Sequence, residues 1–219
     1  MHVLVICDDL WHPAEIIELG LKPMERFGFE FTIVKSAKEI LTPEFIAQYP
    51  VIMCCKGNTM NSFNSSKPWF DHVAEVGVPE LEEYVRNGGG FLAVHAGNTA
   101  REGHPYADFL GNFFVGHPPR CEMTVKMTAD HPVTQGINDF TVRDEHYEIK
   151  IIDPEVQVFC KTYSETGGEQ IGGYSKKIGK GQLCVLTPGH IVAVWHHIQF
   201  QKMLFNAIHY CAKTTIDLI

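Results

Sequence analysis

The sequence predicts an α/β fold, a three-layer sandwich with a mostly parallel sheet between helices and an antiparallel extension built by the second half of the chain. Three observations carry that prediction. Strand and helix patterns alternate through the first half, the order that builds a parallel sheet with right-handed crossovers. The strands of that half are continuous apolar runs, as strands covered on both faces are. The second half changes to short, partly alternating strands joined by tight links, as antiparallel or edge strands are.

In order, HVLVIC (residues 2–7) is the first strand, followed at once by Asp8 and Asp9. A helix over 13–27 opens at a proline, carries Ile16, Ile17, Leu19, Leu21 and Met24, and stops at Gly28. FEFTIVK (29–35) is the second strand, 43–48 a short helix, and PVIMCCKGN (50–58) the third strand. Residues 57–77 combine Asn58, Asn61 and Asn64 with Phe63, Trp69 and Phe70, the make-up of a lid over a site more than of a domain linker. An amphipathic helix over 79–87, with Leu81, Tyr84 and Val85 on one face, leads through three glycines into the fourth strand, GFLAVH (90–95). Further strands are read at 121–127, 146–152, 156–163, 169–177 and 181–189, with Gly179-Lys180-Gly181 as a tight turn. A last helix near 196–211 places Phe200, Leu204, Ile208 and Tyr210 at helical spacing.

The 219 residues suit a single domain, 1–219. Hydrophobic residues at 45% and charged residues at 20% are ordinary for a globular chain. A net charge of −8 without a Lys/Arg run excludes a nucleic-acid partner. No apolar run reaches the roughly 18 residues of a membrane span, and the amino terminus reads as a strand and not as a secretory signal, so the expected location is cytoplasmic. The seven cysteines include no C-x-x-C pair and mostly sit in apolar strands, as small buried hydrophobes do.

In a doubly wound sheet, ligands gather at the carboxyl ends of the strands. Those ends carry Asp8, Asp9, Lys56, Asn58, His95, Asn98 and His190. GGGFLAVHAGN (88–98) has the build of a catalytic elbow, with a histidine where a nucleophile would stand. Imidazole suits acid/base work or metal ligation better than acyl transfer. His117 and His190 lie beside glycine and proline in loops, and Asp144-Glu145-His146 is a compact acid-base cluster. Two readings follow. His95, His117 and His190 with a carboxylate make a zinc set that leaves a position open, or one histidine is a base oriented by Asp or Glu without a metal. Of the other histidines, His131 is read as ordering its own loop, and at most one of His196 and His197 can face a site.

The ordered set GGGFLAVHAGN, FLGNFFVGHPP, DHPVTQGINDFTVRDEHYEI and GKGQLCVLTPGH, closed by an amphipathic helix, resembles the ThuA-like (trehalose utilization) family over nearly the whole chain. The resemblance implies a flavodoxin-like fold similar to class I glutamine amidotransferases, with His95 where those enzymes carry their cysteine and His190 near the place of their histidine. It implies a role in the metabolism of trehalose or related sugars, including keto-sugar derivatives, without amidotransferase activity.

The expectation is therefore an enzyme acting on a small sugar. His95, Glu145 and His190 are its catalytic candidates. His95, His117 and His190 are candidate zinc ligands, and Asp8, Lys56, Asn58, Asn98, Asp144 and Trp195 are candidate substrate contacts. Trp11 and Trp69 are further aromatic platforms, or core. The rival class is a sugar-binding or regulatory module without turnover, and a third reading is a hydrolase using Cys54 or Cys55. Phe109, Phe113 and Phe114 form either a patch for a homo-oligomer or a packed core.

Overall fold

The computed structural model describes residues 1–35, 40–57 and 76–216. Asn58 and Trp69, with most of the polar segment around them, lie outside the described residues.

Five parallel strands form the half of the sheet that the apolar runs predict: β1 (His2–Ile6), β2 (Glu30–Val34), β3 (Val51–Cys54), β4 (Gly90–Val94) and β11 (Gly181–Leu186), in the order β2-β1-β3-β4-β11. The period of two divides each inner strand between two cores. Val3, Val5, Leu92 and Val94 join one cluster with α1 (Ala14–Leu21), α5 (Val192–Trp195) and α6 (Ile198–Ala212). Leu4, Ile6, Phe91 and Ala93 join a second with α2 (Pro43–Ile46), α3 (Val78–Arg86) and α4 (Pro105–Leu110). Helices thus cover both faces, and that double burial is why the strands are apolar throughout.

The extension continues the same sheet with β10 (Gly168–Ile178), β9 (Gln157–Ser164), β6 (Cys121–Met127) and β7 (Phe140–Asp144), each antiparallel to its neighbour. Burial alternates strictly along β7, as expected where one face meets a core and the other meets water. The β10–β11 link is the tight turn read at Gly179-Lys180.

The expected 13–27 helix ends at Leu21 and continues as a 3-10 turn, Lys22–Phe27. Pro23 lacks the N–H that an α-helix would use there. Four elements escaped the sequence reading: α4, β5 (Asn112–Gly116), β7 and α5. Each has only four to six residues, too few to display a period. The strand expected at 146–152 is β8 (Glu148–Ile151), which pairs with β5 in a separate two-stranded sheet. Phe109 is 3% exposed and serves as core, and Phe113 and Phe114 are partly buried against the second cluster. Among the described residues, no helix is long and apolar enough to cross a membrane.

The extension curls. Three strands separate β11 from β7 in the sheet, about 19 Å in a flat one at about 4.8 Å per strand. Yet the Asp144 carboxylate at the end of β7 accepts from the Gly189 N–H just past β11 at 2.7 Å. The antiparallel half folds back over the tips of the parallel strands.

Candidate active site

Glu145, the residue after β7, is the centre on which the cluster converges. Its Oε2 lies 3.1 Å from His190 Nδ1, 3.3 Å from His95 Nε2, 3.6 Å from His117 Nε2 and 3.9 Å from His12 Nε2. The ligating atoms of His12, His95, His190 and Glu145 all fall within 4.8 Å of one another.

Each imidazole is held by its surroundings. His95 follows β4 at φ +48°, a left-handed conformation that only a well-supported turn sustains in a non-glycine residue. Gly97 makes the turn feasible, since a Cβ there would lie 1.9 Å from the Cys54 carbonyl oxygen. His95 Nδ1 donates to the Thr187 carbonyl at 2.8 Å, which leaves Nε2 as a lone pair aimed at Glu145. The ring stacks on Tyr147 at 4.0 Å between centroids. Burial pushes the His95 pKa down, favouring the neutral, ligating form.

His12 is fixed by Asp9. The Asp9 carboxylate accepts from His12 Nδ1 at 2.8 Å, from the backbone N–H of Trp11 and His12 at 2.9 Å each, and from that of Gly57 at 2.7 Å. Burial works to raise the Asp9 carboxyl, and these donors override it and hold it below its ordinary value. Burial likewise works to lower His12, but Asp9 and Glu145 push it up to about 9. The His190 N–H donates to Asp144 at 3.1 Å, and His117 Nδ1 donates to the Pro118 carbonyl at 2.8 Å. Partial burial works to raise the Glu145 carboxyl, while His12, His190 and His95 hold it far below the ordinary carboxylate range.

The buried atoms His95 Nε2 and His190 Nδ1 have no hydrogen-bond partner among the described residues. Both are close to Glu145 without the geometry of a hydrogen bond. Imidazole nitrogens facing one carboxylate oxygen, two of them with the far nitrogen committed to a carbonyl or carboxylate acceptor, form the usual environment of a bound divalent metal.

Above this floor opens a cavity of about 710 Å³, walled by Trp11, Thr99, Arg101, Phe114, Arg120 and Tyr147 among others. Of the sequence-predicted catalytic and metal residues, His95, Glu145 and His190 meet at the floor, and His117 joins from the rim with its side chain about one-third exposed. The predicted substrate contacts among the described residues lie deeper than the cavity, beneath its floor. Asp8 and Lys56 are 2% and 1% exposed, the Lys56 ammonium donates to the Asp8 carbonyl at 2.6 Å, and Asp8 accepts from the Ala14 N–H. Asn98 is fully buried, and its amide donates to the His95 carbonyl at 2.7 Å. Asp144 is fully buried on the His190 loop. Trp195 is also fully buried, with its indole N–H donating to the Gly189 carbonyl at 2.8 Å. None of these five lines the cavity. They position the residues that do.

Sequence reasoning missed His12, Asp9 as its holder, and Tyr147. The available signal for His12 was its place three residues past Asp9, immediately before Pro13. His104, His131 and His197 prove to be caps, each accepting a backbone N–H at the start of a short helix or turn or of α6. His196 bonds the Leu19 carbonyl.

A family model described as ThuA, trehalose utilisation, matches residues 7–211. No curated protein matches the chain. Among solved structures, it is similar to a ThuA-like protein from Parabacteroides merdae, with TM-score 0.78, 16% identity, and 100% of this chain and 92% of that one covered. A cytoplasmic protein from Salmonella typhimurium is similar at TM-score 0.73 and 13% identity over 96% and 99%. The fold also recurs within a β-galactosidase from a Rahnella species, at TM-score 0.66 and 11% identity, over 97% of this chain and 31% of that enzyme.

Proposed function

Because the chain belongs to the ThuA (trehalose utilisation) family, we propose that it is a carbohydrate-processing enzyme of the cytoplasm, acting on a disaccharide or keto-sugar derivative through His12, His95, His190 and Glu145 around a divalent ion such as zinc. One observation carries the reading: imidazole nitrogens converge on a single Glu145 oxygen, two of them buried and without hydrogen-bond partners. The donor set of three imidazoles and a carboxylate suits zinc. When bound, zinc supplies Lewis-acid polarisation of a carbonyl or hydroxyl oxygen.

The rest is the work of this chain's residues. Asp9 and the Thr187 carbonyl hold His12 and His95 with their Nε2 atoms toward the cavity. Tyr147, stacked on both His95 and His117, covers one face of each ring and keeps water off it. His117, at the rim, is placed to pass a proton between the Glu145 side of the cavity and solvent. Trp11, 67% exposed at the mouth, offers a flat apolar surface to a sugar ring. The elbow and sheet support kinship with the flavodoxin-like amidotransferases, with His95 at the nucleophile position. Amidotransferase chemistry does not fit, since Cys54 and Cys55 are buried and their thiols pushed up.

Elemental analysis of protein purified without chelators tests the ion. One equivalent per chain is expected in the wild type and loss of it in folded His95→Ala and His190→Ala; a metal-free wild type refutes the metal. Turnover of a disaccharide and keto-sugar panel tests the chemistry, and saturable binding without product in the metal-loaded protein turns the assignment to a binding module.

A further inference from the structure

Two arginines at the mouth of the cavity have no task in the chemistry above. The chain is acidic, with a net charge of −8 and only five arginines. Two of the five, Arg101 and Arg120, line the same cavity as Glu145, His12, His117 and His190. Elsewhere, Arg86 pairs with Glu82, and Arg26 bonds Gln201 and lies over the Phe27 ring. Arg101 and Arg120 are both exposed, and neither side chain has a hydrogen-bond or ion-pair partner among the described residues. The carboxylates nearest to them in the cavity are already committed, Asp9 to His12 and backbone N–H groups and Glu145 to the histidines. The arginines therefore do not neutralise the floor.

We propose that the cavity takes a carbohydrate bearing an anionic group, a carboxylate or a phosphate, and that Arg101 and Arg120 hold that group at the mouth while the sugar reaches the Glu145 floor. The inference rests on the carbohydrate reading of the site and specifies its ligand. A guanidinium presents a planar fork of donors that matches carboxylate and phosphate oxygens two at a time. Arg120 lies three residues past His117, and Arg101 six past His95, so each is tied to a segment that also supplies the floor. The cavity, about 710 Å³, has room for a sugar and its anionic group together. Two cations at its mouth also draw an anion in against the negative field of the whole chain.

Calorimetric titration of the metal-loaded protein tests this with glucose, gluconate, glucose 6-phosphate and inorganic phosphate. At least one of gluconate and glucose 6-phosphate is expected to bind about tenfold or more tighter than glucose, as one charge-assisted contact provides. The tighter of the two identifies the group as carboxylate or phosphate. In the Arg101→Gln/Arg120→Gln double variant, whose sites are exposed and whose fold is checked by its circular dichroism, the ratio of anionic to neutral affinity is expected to fall to near one. Raising the salt to about 0.5 M should shrink the same ratio in the wild type. Equal affinity for glucose and both anions overturns the proposal while the carbohydrate reading stands. So does a preference that survives the double substitution. Inorganic phosphate binding as tightly as glucose 6-phosphate removes the sugar reading and leaves only an anion site. No binding by any member of the panel overturns both.

Discussion

Replacing Asp144 by Asn separates a residue that builds the site from one that touches a ligand. Asp144 is fully buried, and its carboxylate accepts from the Gly189 N–H at 2.7 Å and from the His190 N–H at 3.1 Å. An amide of the same size keeps one acceptor oxygen and turns an NH2 donor toward the other N–H. The variant thus loses one charge-assisted bond, about 1.5–3 kcal/mol, and leaves one buried N–H unpaired, about 1–3 kcal/mol. A loss of about 3 kcal/mol is a fair centre. At about 2.1 cal/mol/K per residue, 219 residues have an unfolding entropy of about 0.46 kcal/mol/K, so the melting temperature should fall by about 7 °C. Thermal unfolding followed by circular dichroism reads this directly, and metal content measured on the same sample should fall as His190 loses its anchor. A melting temperature within about 1 °C of wild type, with weakened ligand binding alone, would show that Asp144 faces the cavity and that the account of the His190 loop is wrong.

Two further predictions follow from buried groups. Cys54 and Cys55 are at most 1% exposed with thiols pushed up by burial, while Cys121 is partly exposed; iodoacetamide on the native protein should label Cys121, spare the other two by peptide mapping and leave turnover intact, and labelling of Cys54 that stops turnover would restore the thiol mechanism. His131 is 7% exposed, accepts the Val133 N–H and pairs with Ser175. Burial holds its pKa below the ordinary value against the pull of Asp130, so the unfolded chain takes up the proton more readily. Its contribution to stability is therefore complete above about pH 6.5 and declines below it, by at most about 1.4 kcal/mol per unit. His131→Asn, which keeps a cap acceptor, should flatten the fall in melting temperature between pH 7 and 5; an unchanged slope means His131 takes up its proton equally in the folded and unfolded states.

The parallel half of the fold was legible because burial on two faces writes itself as uninterrupted apolar runs, as in VLVI and FLAV. His95 and His190 were legible because each follows the end of an apolar strand, and Glu145 because Asp144-Glu145-His146 sets three ionisable groups side by side. What a strand end does not disclose is depth. Lys56 and Asn98 have the same kind of address as His95, yet their polar atoms are turned down onto backbone carbonyls. Whether a tip residue points up or down depends on the local turn, here the left-handed φ of His95 and its neighbours' hydrogen bonds. His12 was hidden for a related reason. It reaches the floor only because Asp9 folds the chain back on itself, a step that leaves no periodic mark.

The curl of the antiparallel extension makes the floor a long-range assembly. Glu145 directly follows the outermost strand of the sheet, β7, whose one neighbour among the described residues is β6, while His12 and His95 come after β1 and β4 of its interior. Outermost strands are the first to fray in native-state fluctuations, so peeling β7 from β6 would carry Glu145 away and leave the imidazoles in place. Occupancy of the floor should then be recorded as slower amide hydrogen exchange at Thr141 and Arg143, residues that never meet the ligand.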